Sequence, residues 1–191
     1  MLSINNIIKY IFSICFCLVN TYAQVGPFFN VSFSPKMNES KFERNDNVAT
    51  RTYVGTSLTA TVGYRLSNIS LMASLVKAQM EEKSNNTFER DDENYGLTLR
   101  YYPISFFHIQ SSYFLTNTEL TYPLASKEEF EGSKVTAGTG LTFPIVANSS
   151  LFINGDYILS SKMKNKNGTG GNIIEEKGYT ISVGGSISIG K

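Results

Sequence analysis

Cysteine is nearly absent, and its placement is informative. The chain of 191 residues has two, Cys15 and Cys17, both inside an N-terminal segment laid out like a secretory leader. Lys9 supplies the positive charge, Tyr10 to Val19 the apolar run, and Thr21-Tyr22-Ala23 the small cleavage-site residues. Taking residues 1–23 as a signal peptide leaves no thiol in the domain expected over 24–191, which excludes a disulfide framework there. A thiol-free chain suits an oxidising compartment, where stray cysteines mispair. Long apolar runs are also missing. A helical crossing needs about 20 such residues, more than the leader or any later stretch offers. Insertion into a bilayer would therefore have to use strands. Neither sign of charge dominates. Losing Lys9 with the leader reduces the 17 basic residues to 16, against 16 acidic ones. That balance gives no reason to expect a nucleic acid partner. Histidine occurs once, and helical periodicity is absent.

What the chain does have is alternation with a period of two, the signal of strands with two unlike faces. Tyr179, Ile181, Val183, Gly185, Ile187 and Ile189 alternate with Thr180, Ser182, Gly184, Ser186 and Ser188. Val54 to Tyr64 repeats the pattern, and further strands are expected over Phe29–Phe33, Ile69–Leu75, Tyr95–Tyr101, Phe107–Leu115, Val135–Phe143 and Leu151–Leu159. That makes eight. Three connections are short: Arg65–Asn68, Pro103–Phe106 and Pro144–Asn148. Four read as long charged loops: Lys36–Arg51, Glu81–Glu93, Thr118–Lys134 and Ser161–Lys177, the last with a Gly-rich stretch at Asn165–Gly171. Long and short alternate strictly. A closed meander then carries all short turns and both termini at one end, and all long loops at the other.

Three features choose the outward face. Only Lys77, Arg100 and Asp156 are charges well inside an expected strand, and the polar faces are Gly, Ser and Thr, as suits a narrow lumen. Aromatic residues on the apolar faces fall in two bands. Phe29, Tyr64, Tyr101, Phe107 and Phe143 mark the short-turn end; Tyr95, Tyr113, Tyr157 and Tyr179 mark the long-loop end. Such girdles form at the two water–lipid boundaries. Val54–Tyr64 also has the length of a tilted crossing, about 9–11 residues. The expected fold is an all-β, eight-stranded antiparallel up-and-down transmembrane β-barrel.

The leader end Tyr22-Ala23-Gln24, the strand end Leu97-Thr98-Leu99-Arg100-Tyr101-Tyr102-Pro103 and the following Phe106-Phe107-His108-Ile109-Gln110 resemble small outer-membrane β-barrel proteins of Bacteroidetes type. The layout is similar to OmpX and to the transmembrane domain of OmpA. The resemblance implies a bacterial outer-membrane location, contact with outer-membrane lipid, and delivery by periplasmic chaperones and the barrel-assembly machinery. It also implies a terminal aromatic residue, where this chain has Ser188-Ile189-Gly190-Lys191.

No catalytic constellation emerges, so no enzyme activity, cofactor or metal is expected. The outer-membrane deacylases place a Ser two residues from a His on one strand face. Here position 110 is Gln, and Ser112 lies some 13 Å from His108 by strand rise. The pairs Glu81-Glu82, Asp91-Asp92 and Glu128-Glu129 fall in expected loops, where carboxylates are not held at fixed separation. Asp91, Asp92 and Glu93 lack EF-hand ligand spacing. Gly138 and Gly140 alternate within a strand and precede no helix, so they are no phosphate cradle. Arg100 and Asp156 are the residues singled out. Alternation points both into the lumen, where a charge needs a partner or water, and mutual compensation is the simplest expectation. The functional expectation is a non-enzymatic barrel presenting four loops, in an envelope-structural or adhesion role, with a host or cell-surface ligand for the loops. A barrel carrying a small ligand is the alternative, and a lipid-modifying enzyme the third.

Overall fold

The computed structural model describes residues 25–44, 47–122, 126–166 and 173–189, with side chains omitted at 44 and 85–87. The segment expected to be a leader and most of the Gly-rich stretch lie outside the described residues. Eight strands follow in order: β1 (Gly26–Arg44), β2 (Asn47–Leu66), β3 (Ile69–Glu82), β4 (Asn85–Ile104), β5 (Phe107–Thr121), β6 (Lys127–Val146), β7 (Ser149–Asn165) and β8 (Ile173–Ser188). Each pairs antiparallel with its neighbours, and β1 pairs with β8 to close the barrel. Closure removes the free edges that an open sheet leaves. The three short turns tighten to Ser67-Asn68, Ser105-Phe106 and Ala147-Asn148. Ser67 takes a positive φ of 50°, the backbone sense that primed hairpin turns need to match strand twist.

The outward side chains form an apolar belt. Leu58, Val62, Leu71, Leu97, Leu99, Leu115, Ile153, Val183 and Ile187 are all exposed, Leu97 at 57%. An apolar patch encircling the molecule marks a surface that lipid covers. Tyr64 and Tyr101 stand outward at the short-turn end, and Tyr95, Tyr113, Tyr157 and Tyr179 at the other. Tyr157 and Tyr179 face each other across β7 and β8.

The four long loops are a correction. Those segments are mostly paired strand: β1 and β2 continue in register from Lys36↔Gly55 to Arg44↔Asn47, and β3 and β4 meet at Lys83-Ser84. β2, β4 and β6 reach 20 residues each, about twice a tilted crossing. The extra length forms a β-hood rising from the barrel. Side-chain direction keeps its period of two there, but the polarity of the outward face changes. In the belt of β3, Leu71 and Ala73 point out and Ser70 and Ser74 point in. Beyond it, Lys77, Gln79 and Glu81 point out while Ala78 and Met80 point in. Water replaces lipid outside, so the outward face becomes polar. Tyr53, Ala78, Met80, Leu120, Phe130, Met163 and Ile174 then form an apolar core inside the hood, as in a soluble barrel.

Candidate functional site

Two polar layers and the apolar hood core fill the lumen. Nearest the short turns, Arg100 on β4 donates from Nε and Nη2 to Gln110 Oε1 on β5, at 3.0 and 2.8 Å. Gln110 Nε2 donates in turn to Asp156 on β7, 2.8 Å from Oδ1 and 3.0 Å from Oδ2. Arg100 also donates to the Tyr102 hydroxyl at 3.3 Å. The two residues singled out by sequence therefore share one network but do not touch: Gln110 stands between them. A neutral amide suits that place, since its carbonyl accepts from the guanidinium and its NH₂ donates to the carboxylate.

Two glycines allow the contacts. Gly138 of β6 lies between Gln110 and Asp156, and Gly140 between His108 and Asn154. A Cβ at Gly138 would stand 2.2 Å from Asp156 Oδ1, and one at Gly140 would stand 2.4 Å from His108 Nε2. Without side chains on the middle strand, its neighbours meet over it. His108 Nε2 thus lies 2.9 Å from Asn154 Oδ1, and its Nδ1 3.5 Å from Thr142 Oγ1. Ser112 instead accepts from Thr98 at 2.8 Å. The histidine and that serine have separate partners.

The second layer, at and above the upper girdle, is an ion cluster that the sequence did not reveal. Fully buried Arg90 donates to both Asp92 oxygens (2.8 and 3.0 Å) and to Ser40 Oγ (2.8 Å), and it pairs with Glu176. Lys134 Nζ lies 2.8 Å from Glu176 Oε2, Ser161 donates to the same oxygen at 3.3 Å, and Thr118 donates to Asp92 at 2.7 Å. Burial pushes the Glu176 carboxyl up, but Arg90 and Lys134 beside it outweigh that and hold it well below the usual carboxylate range. The statement that Lys77, Arg100 and Asp156 are the charges inside strands is corrected: Lys36, Arg90, Asp92, Lys134 and Glu176 are lumenal too. Lys77 points outward and meets Glu93 at 3.1 Å. The signal was there, since Arg90, Asp92 and Asn94 alternate with Asp91, Glu93 and Tyr95. With charge on both faces, however, the pattern reads as loop.

The acidic doublets are strand residues too. Asp91 and Glu93 face outward and Asp92 inward, so the three cannot converge on an ion. Glu82 faces in toward Arg51 at 3.4 Å, with Glu81 outside. Glu128 accepts from Tyr122 at 2.8 Å. Between the two polar layers lies a cavity of about 120 Å³, lined by Ser32, Ser57, Thr61, Asn94 and Ser112 among others. Lys36, Asn38 and Lys134 line its upper side, and the hood core lies beyond them. At the mouth beyond that core is an open cup of about 480 Å³, lined by Phe42, Arg51, Tyr122, Glu128 and Phe130. Burial, then the bond to Glu128, push the Tyr122 phenol up, so it stays a neutral donor.

A closed antiparallel barrel of eight strands, apolar outside between aromatic girdles and polar within, is a barrel of the bacterial outer-membrane class. Solved structures of that class share the fold. The outer membrane protein AlkL, solved by solid-state NMR in DMPC bilayers, has a TM-score of 0.63 at 16% identity, covering 88% of this chain and 92% of that one. OprG from Pseudomonas aeruginosa has 0.56 at 13% identity, covering 88% and 98%. Neisserial surface protein A has 0.52 at 13% identity, covering 86% and 99%. At such identities the likeness is one of fold. No family model and no curated protein sequence matches the chain.

Proposed function

We propose that this chain is a non-enzymatic, non-conducting outer-membrane barrel that displays its β-hood on the cell surface in an envelope-structural or adhesive role. The observation that carries the reading is the hood core, Tyr53 to Ile174, which seals the lumen above the buried ion cluster. An eight-stranded barrel is just wide enough for side chains to fill. The charged outer face of the hood fits water at that end, which supports reading it as the extracellular end. A Bacteroidetes-type origin and handling by periplasmic chaperones and the barrel-assembly machinery belong to the same proposal. Reconstitution into planar bilayers should give no conductance steps. Cells displaying the intact chain should attach to host or neighbouring cells, or resist detergent, better than cells whose four hairpins are cut back to the ion cluster. Open-channel conductance, or equal behaviour of the two cell types in both assays, refutes it.

The mouth cup favours a second reading, a small-ligand barrel. Its size lies in the usual range of ligand pockets, about 300–1,000 Å³, and it joins aromatic walls to a few polar groups. A role of this kind would appear as a binding defect in Arg51→Ala with the hood otherwise intact.

A further inference from the structure

The lumen charges do not balance. Among the described residues, Lys36, Arg90, Arg100 and Lys134 face the lumen from the lower network to the ion cluster, against Asp92, Asp156 and Glu176. Four cations meet three carboxylates. Asp92 is taken by Arg90, Glu176 by Arg90 and Lys134, and Asp156 by Gln110. Lys36 is the one left over. It lines the cavity and has no ion-pair or hydrogen-bond partner among the described residues. Its charged surroundings are two further cations, Lys134 and Arg90, and the carboxylates Asp92 and Glu176 that those cations already hold. An uncompensated cation in a lipid-enclosed lumen is costly.

The walls around it offer small donors. Ser32, Ser34, Ser57, Thr59 and Thr180 all reach the same cavity, and the Ser57 hydroxyl has no protein partner among the described residues. About 120 Å³ accommodates a halide with a few waters, each water taking about 30 Å³. A second cavity of about 100 Å³ opens toward the short turns and shares Asn30, Arg100 and Phe152 with the first. Arg65 and Arg100 stand along that route, and the hood core blocks the other end. The lumen is a blind sac whose cations lead inward from the short-turn side.

We propose that the lumen binds a small monovalent inorganic anion, of the size of chloride, against Lys36 and the surrounding hydroxyls. This rests on the lipid-embedded barrel reading, because only a lumen shielded from bulk water leaves Lys36 short of a counter-charge. The test is urea unfolding of the mature chain refolded into phosphatidylcholine vesicles, with chloride or bromide exchanged for gluconate at constant ionic strength and pH. Chloride should raise stability with the logarithm of its concentration once above the dissociation constant, the folded-to-unfolded ratio being up about tenfold at ten times that constant. Lys36→Gln should abolish the dependence and Lys36→Arg retain it, while Lys127→Gln, on the outer face, should leave it unchanged. Crystals grown in bromide should show anomalous density beside Lys36 Nζ, which decides the matter even if Lys36→Gln does not fold. A wild-type chain indifferent to the anion, an equal response in Lys36→Gln, or bromide bound only elsewhere overturns the site. Failure of the chain to insert into vesicles at all would instead overturn the membrane reading.

Discussion

Replacing Arg90 by methionine is the sharpest test of the ion cluster. The guanidinium is fully buried and makes two bonds to Asp92, one to Ser40 and an ion pair to Glu176. Methionine fills much of the volume but leaves the two carboxylates unequally placed. Glu176 keeps Lys134 at 2.8 Å and Ser161 at 3.3 Å, whereas Asp92 keeps Thr118 at 2.7 Å. Asp92 becomes the stranded charge. Removing one partner of a buried pair costs about 3–5 kcal/mol. Arg90→Met should fall in that range, and adding Asp92→Asn should recover part of it. The sum of the single losses should then exceed the double loss by at least about 1 kcal/mol. The chain has no tryptophan, so urea unfolding from vesicles is best followed by circular dichroism or by the gel shift of folded barrels. The cluster also sets a pH dependence. Glu176 is held below its unfolded value, so its contribution is complete above about pH 4.3 and is lost as pH falls toward the depressed folded value. Arg90→Met should flatten that acid slope. A coupling of zero between Arg90 and Asp92, or an unchanged slope, would refute the reasoning.

Leu99 faces lipid and Thr98 the lumen, so Leu99→Arg should cost about 2–4 kcal/mol on refolding into vesicles and Thr98→Ser far less; equal losses would contradict the assigned faces. Arg100→Met and Asp156→Asn should couple in a double-mutant cycle, and Gln110→Leu should erase the coupling, because the amide carries it. Gly140→Ala would thrust a methyl into His108 and Asn154, a loss of about 1–3 kcal/mol from overpacking that Asn154→Ala should relieve in part, as unfolding midpoints would show.

By itself the sequence determined the membrane half of this protein. Eight alternating segments, the outward side of each, the two aromatic girdles and the three tight turns follow from residues such as Tyr95, Leu97, Leu99 and Tyr101 set against Gly96, Thr98 and Arg100. Lipid imposes one rule over the whole belt, apolar outside, and a period of two reports it directly. Only the tertiary structure decided what happens above the upper girdle. There the outer solvent is water, so the polarity pattern changes phase: the outward positions of β3 pass from Leu71 and Ala73 to Lys77, Gln79 and Glu81, while side-chain direction keeps its period of two. A phase change without a break in the strand looks, residue by residue, like the end of the strand. Charges facing both ways, as at Asp91, Asp92 and Glu93, obscure it further. Partners such as Arg90 and Glu176 come from strands remote in sequence and meet because the barrel closes. Alternation could point Arg100 and Asp156 into the lumen, but three-dimensional placement put Gln110 between them and left Lys36 without a carboxylate.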